Sequence, residues 1–157
     1  MTSLKETKLG SLLNFTKIAL KMDVIWLRVF SDPTFKRYIL DLVRQDQLFD
    51  QGIDEDGDII GTYSEATEMM NPSKVAGTPY TLFDTGEFYN SFVINVGKRI
   101  FEIDADTTKM DGESWWIQNN ITKDAILGLT DENKIKLSVE VKRRFLIETR
   151  KLLLQNY

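Results

Sequence analysis

The chain has no cysteine and no histidine in its 157 residues. Without cysteine, neither disulfides nor thiolate metal sites hold the fold, and the redox compartment stays open. Without histidine, the commonest general base near neutral pH and the commonest transition-metal ligand are both missing. Catalysis here has only carboxylates or lysine to work with, so an enzyme is the less favoured expectation. There are three prolines, and each falls at a break in the pattern: Pro33, Pro72 and Pro79. No long uninterrupted apolar run exists. The greasiest stretch, Leu9 to Phe30, is broken by Lys17, Lys21, Asp23 and Arg28, and charges at a helix centre are costly in lipid. Lys17 also splits the apolar run that a signal peptide needs. The expectation is a protein made in the cytosol that has no membrane contact.

What is present is an ordinary globular balance, 42% hydrophobic and 28% charged, which argues against disorder. A chain of this length fits one domain, residues 1–157, burying roughly 70% of its unfolded surface. The net charge of −4 hides a segregation. Residues 1–44 carry eight Lys/Arg against four acids (+4), residues 45–130 five against sixteen (−11), and residues 131–157 seven against four (+3). Two basic helical ends flank an acidic middle. Solvated surface explains mixed charge; the sharper reading is complementarity between neighbouring subunits.

Leu12, Phe15, Ala19, Met22, Trp26 and Val29 recur at helical spacing. Ser31-Asp32-Pro33 is a stop and restart, with Pro33 suited to the first helical position. Phe35, Tyr38, Ile39, Leu42 and Val43 predict a second amphipathic helix running towards Leu48. Asp56-Gly57 between β-branched residues signals a hairpin turn. Ser64 caps a short helix through Met70, ended by Asn71-Pro72, and residues 73–81 read as a loop long enough to be mobile or to bind.

From Leu82 to Ile94 the chain packs a turn, a capped helical turn and a strand start into thirteen residues. Asp84 or Thr85 supplies a capping oxygen, Gly86 permits the bend, Phe88 and Tyr89 lie in the helical turn, and Ser91 closes it. Ser91–Asn95 and Arg99–Ala105 predict a hairpin turned at Gly97-Lys98. Residues 106–112 read as a polar turn, and 114–121 as a third strand or a helical turn. Thr130 caps a long last helix whose apolar side is supplied by Ile135, Val139, Val141, Phe145, Leu146, Leu152 and Leu153. The order gives an α+β fold: N-terminal helices, a small antiparallel sheet and a long C-terminal helix.

Several side-chain groups invite chemistry. Asp54, Asp56 and Asp58 beside Gly57 suggest a calcium loop, but the EF-hand frame places Gly52 and Tyr63 at its first and last ligands, so the hairpin reading is preferred. Glu102, Asp104, Asp106, Asp111 and Glu113 suggest paired acids; alternate exposed strand positions account for most of them. Trp115-Trp116 suggests a stacking platform for sugars or bases. Adjacent residues of a strand face opposite sides, so core plus subunit interface is the preferred reading. Lys142-Arg143-Arg144 suggests nucleic acid, which the acidic balance opposes; a solvated helix face is the preferred reading, with an inter-subunit salt bridge second. No GxxxxGK[ST] or GxGxxG fingerprint occurs, and no cofactor or metal is expected.

Three ordered segments also resemble one family. Gln47-Leu48-Phe49-Asp50-Gln51-Gly52-Ile53-Asp54, with Gly57, Tyr63-Ser64 and Thr67, is followed by Thr81, Leu82, Thr85, Gly86, Phe88, Tyr89 and Ser91, then Ile126-Leu127-Gly128-Leu129-Thr130 before the last helix. The pattern is similar to the neck and tail-completion proteins of tailed bacteriophages of gut bacteria. The resemblance implies a structural protein of the virion, assembled in the host cytoplasm, at the head–tail connector or tail terminus. It implies a ring homo-oligomer with portal, adaptor or tail proteins as neighbours. DNA passes through such a ring without sequence-specific binding. No catalytic residues carry over, and Thr85, Gly86 and Ser91 are fold-defining. The charge segregation adds an expectation of its own, an interface pairing Asp54, Asp56 and Asp58 of one subunit with Lys142, Arg143 and Arg144 of the next, Trp115 and Trp116 contributing. The rival expectation is a small acidic ligand- or carbohydrate-binding module using Trp115 and Trp116.

Overall fold

A computed structural model describes residue 16 and residues 21–110 and 123–154. The expectations for residues 9–15 and 17–20, for 114–121 and for Trp115 and Trp116 lie outside the described residues, as do Asp111 and Glu113.

The first described helix, α1 (Met22–Phe30), ends at Ser31. The chain restarts at α2 (Pro33–Asp41), where the Asp32 carboxylate accepts the Phe35 N–H at 2.8 Å and Pro33 occupies the first turn. One amide left orphaned by the helix start is thereby satisfied, and a missing N–H costs nothing there. The break packs Phe30 and Phe35 together with ring centroids 5.3 Å apart. Trp26 stacks on Phe30 at 4.0 Å, and Phe101 stacks on it at 5.0 Å. Such ring pairs contribute about 0.5–1.5 kcal/mol beyond the area they bury.

The second helix continues to Leu48 as expected, but with a change of winding: Leu42–Phe49 is a π-helix. Its buried residues are Leu42, Val43, Gln47 and Leu48, two pairs five positions apart, which is the spacing of i→i+5 bonds. An α-helical continuation would have turned Asp46 towards the core. The wider winding brings Gln47 there instead.

Between Gly52 and Pro79 the chain makes two small paired loops. The Asp56-Gly57 turn closes a hairpin with one bridge, Ile53 to Ile59, rather than two strands. Ser64 caps α3 (Glu65–Met70) by accepting the Thr67 N–H. Residues 73–81 form a loop, as predicted, and it is tied to the preceding segment: Thr62 bridges Pro79, and the Tyr63 N–H, Gly77 N–H and Tyr80 N–H donate to Thr78, Tyr63 and Gly61 carbonyls.

A four-residue helix, α4 (Glu87–Asn90), leads into β1 (Val93–Val96), antiparallel to β2 (Phe101–Asp104) with Val93 opposite Asp104 and Val96 opposite Phe101. The two strands are shorter than the predicted runs. Trp26 donates its indole N–H to the Gly97 carbonyl at 3.2 Å, and Lys36 reaches the Ile94 carbonyl at 3.2 Å. Both helices are thus tied to the hairpin. Asp106 caps the 3₁₀ turn Thr107–Lys109, and Lys123 pairs with Asp104 at 2.5 Å.

A short helix, α5 (Lys123–Leu127), precedes α6 (Asp131–Leu154), the longest element. Gly128 between them is necessarily small: a Cβ there would sit 2.7 Å from the Glu55 Cβ, because the Glu55 N–H donates to the Ala125 carbonyl at 2.8 Å. Thr130 caps α6 through the Asn133 N–H at 3.3 Å, as the sequence predicts. The described elements form an α+β fold of N-terminal helices, a two-stranded sheet and a long C-terminal helix.

Two buried amides lock these pieces together. Gln47 Nε2 donates to the Gly128 carbonyl at 3.0 Å, and its Oε1 accepts from the Thr130 N–H and from Asn133 Nδ2, both at 3.0 Å. Asn133 Nδ2 also reaches the Leu42 carbonyl at 2.9 Å. Replacing Gln47 with Leu leaves the half-buried Gly128 carbonyl and Thr130 N–H without this partner, and a loss of about 2–4 kcal/mol is expected in urea unfolding. A loss below about 1 kcal/mol would show that the amide network is not what holds α6 to the π-helix.

Candidate functional site

The Thr-Gly segment is built around a backbone turn that most residues avoid. Gly86 is buried at φ +82° and begins α4, while Leu82 adopts φ +56°. Of the two expected capping oxygens, Thr85 is the one used, accepting the Glu87 N–H at 3.3 Å; Asp84 instead pairs with Lys74 at 3.7 Å. Phe88 is buried, and its ring lies 5.0 Å from that of Phe92. Tyr89 donates its hydroxyl to the Thr81 carbonyl, and burial pushes that phenol above its usual range. Ser91 Oγ donates to the Phe88 carbonyl at 2.6 Å and accepts the Asp106 N–H at 3.0 Å. Arg44 reaches the Tyr89 carbonyl at 3.2 Å. Thr85, Tyr89 and Ser91 therefore spend their polar atoms on backbone contacts, an arrangement suited to holding a shape.

At the acidic hairpin the three aspartates differ. Asp54 Oδ1 accepts both the Asp56 and the Asp58 N–H at 3.0 Å. It shapes its own turn. Asp56 and Asp58 are exposed, and no ion pair engages them among the described residues. Among the described residues no three carboxylates converge on a position that could hold a metal ion.

The basic run on α6 also divides. Arg144 bonds Glu140 at 2.6 Å and Asp32 at 3.1 Å, and lies 4.6 Å from the Phe35 ring centre. It buttresses α6 against the start of α2. Arg143 makes two bonds to Glu140, of 2.6 and 2.7 Å. These guanidinium contacts, Arg143 before Arg144, hold the Glu140 carboxyl at about 2 against partial desolvation. Lys142 stays exposed. The structure thus brings Arg143 and Arg144 to partners in their own chain, and leaves Lys142, Asp56 and Asp58 outward.

The sequence reading gave α6 one apolar side. The structure gives it two. Leu137 and Leu152 are buried with Asn133, and Val141 and Phe145 pack against the core. Ile135, Val139 and Leu146 are 66%, 62% and 60% exposed. At 100° per residue these three share a face opposite the buried one. Their signal was present as the seven-residue repeat Val139, Leu146, Leu153, with Ile135 four positions before the first.

A groove of about 680 Å³ runs between β2 and α6, with Trp26, Phe101, Ile103, Leu127 and Val141 on its apolar walls and Glu55, Glu102, Asp124 and Lys142 on its rim. A smaller cleft of about 410 Å³ lies beside Tyr63, Lys74 and Phe83. Among the described residues no helix is long and apolar enough to cross a membrane.

No family model, curated protein or solved structure matches the chain. The functional reading therefore rests on these surfaces and on the three-segment resemblance.

Gly86→Ala should cost about 1–2 kcal/mol in thermal or urea unfolding, the expense of the left-handed backbone. Crowding adds little, since the nearest atom to an added Cβ is 3.4 Å away on Phe83. A neutral result would mean the turn relaxes freely. For Glu140, the carboxyl titrates at 4.5 in the unfolded chain and about 2 in the folded one. The folded protein then binds fewer protons between those values, so this contribution is full above the higher value and fades as pH falls to the lower. Glu140→Gln should make stability fall less steeply between about pH 5 and pH 2, and an unchanged slope would remove the Arg143–Glu140–Arg144 cluster as its source.

Proposed function

We propose that this chain is a structural subunit of the head–tail connector or tail terminus of a tailed bacteriophage. It works as a homo-oligomeric ring that joins the portal to the tail, with adaptor or tail proteins as neighbours and DNA passing through without sequence-specific contact. The observation that carries this reading is the outward apolar line of α6. A long helix that buries one side and exposes Ile135, Val139 and Leu146 on the other is a helix prepared for a second contact. Two further features support it. The Thr85–Ser91 segment, the centre of the phage-like pattern, is spent on internal contacts, as expected of a shape-defining motif. The charge segregation supplies surfaces of opposite sign on one chain, which a head-to-tail assembly can use.

The second reading is a ligand-binding module, and the groove between β2 and α6 favours it. Its volume of about 680 Å³ suits a small ligand. Aromatic walls with carboxylates at the rim are compatible with a sugar ring. Trp115 and Trp116, on which that reading first rested, are outside the described residues. A saturable, stoichiometric response to an oligosaccharide in calorimetry would favour the module.

Quantitative mass spectrometry of phage particles that encode this chain tests the first reading. A small fixed copy ratio to the portal protein is the expected result. Absence from mature particles would overturn the connector assignment.

A further inference from the structure

The outward line of α6 has charged edges. Ile135, Val139 and Leu146 climb the helix over about 16 Å at 1.5 Å per residue. Lys142 and Arg150 lie on either side of this line. Among the described residues neither is in an ion pair, whereas Lys136 is held by Asp46 and Glu132, Arg143 by Glu140, and Lys151 by Glu148. The face therefore offers apolar contact bordered by two uncommitted cations.

A segment of matching chemistry lies on the same chain. The stretch from Asp54 to Met70 carries six acids and no Lys or Arg. Asp56, Asp58 and Glu65 are exposed and take no ion pair among the described residues. Apolar side chains stand out in the same stretch: Ile59 is 59% exposed, Met69 86% and Met70 82%. Methionine at a surface adapts readily to a facing side chain. Apolar contact bordered by negative charge is what the α6 face lacks.

The geometry points to head-to-tail docking between copies of this chain, the outward line of α6 on one copy seating against the exposed side chains of the Asp56–Met70 segment on the next. Two unlike surfaces on one chain generate a closed ring or an open filament rather than a two-fold dimer. The inference rests on the ring reading above for the identity of the partner. It names which surfaces meet, and it removes Asp54, Arg143 and Arg144 from the contact because the fold already uses them.

A charge exchange tests it. Variant one carries Lys142→Glu and Arg150→Glu; variant two carries Asp56→Lys and Asp58→Lys. All four positions are exposed, and circular dichroism checks that each variant keeps its helices. By sedimentation velocity and native mass spectrometry, the wild type should assemble. Each variant alone should do so about tenfold less tightly or worse. Their equimolar mixture should recover assembly with the two variants alternating, because every contact then joins opposite charges. Leu146→Asp in the wild type should weaken assembly without being rescued by either variant. Wild-type-like assembly of either variant alone, or a mixture no better than its components, would overturn the docking geometry. A wild type that stays monomeric at high concentration would overturn it also. The particle copy ratio remains a separate readout. A fixed ratio beside failed charge exchange condemns this interface and leaves the connector reading standing. Absence from particles beside successful exchange does the reverse.

Discussion

The side-chain amide of Gln47 has a donor and an acceptor, and the fold uses both in the same place. Its nitrogen satisfies the Gly128 carbonyl, and its oxygen collects the Thr130 N–H and the Asn133 amide. Those groups belong to the turn that sends the chain from α5 into α6. A buried polar group of this kind is costly when unmet and specific when met. The register of α6 against α2 is consequently set by hydrogen bonds, while apolar contacts such as Leu137 and Phe145 supply attraction without fixing position. The π-winding of Leu42–Phe49 is the local adjustment that makes Gln47 available. Much else follows from the placement of α6: the stacking of Trp26, Phe30 and Phe101 beneath it, the Arg144 bond to Asp32, and which of its faces remains outside.

The same constraint separates shape from contact. Thr85, Tyr89, Ser91, Asp54, Arg144 and the two amides find partners within the chain. On the outer side stand apolar residues and charges without such matches. The proposed connector role draws on this division, since a ring subunit must hold its shape while offering two surfaces to its neighbours.

Much of the fold was readable from the sequence wherever the signal is local. The Ser31-Asp32-Pro33 break, the Ser64 and Thr130 caps, the Asp56-Gly57 turn and the 93–104 hairpin each depend on residues within a few positions of one another. What escaped reading depends on residues far apart. Gln47 and Asn133 look like surface residues in a helical pattern, and only their mutual approach across 86 positions makes them core. The π-winding leaves no compositional mark. Gly128 reads as loop punctuation until Glu55 is seen pressed against it. At the candidate interface, charge segregation was visible but its occupancy was not. Arg143, Arg144 and Asp54 are as charged as their neighbours in sequence, and pairing distances alone show that they are already engaged.

The length and make-up of α6 have a mechanical consequence. Its 24 residues contain neither glycine nor proline, so the helix has no built-in hinge over a span of about 36 Å. Load applied anywhere along the outer face is carried as by a beam, and is shared among contacts from Asn133 at one end to Leu152 at the other. Such a strut resists bending better than a pair of shorter helices joined by a turn. In the proposed connector role, a helix of this kind would stiffen the wall of the ring.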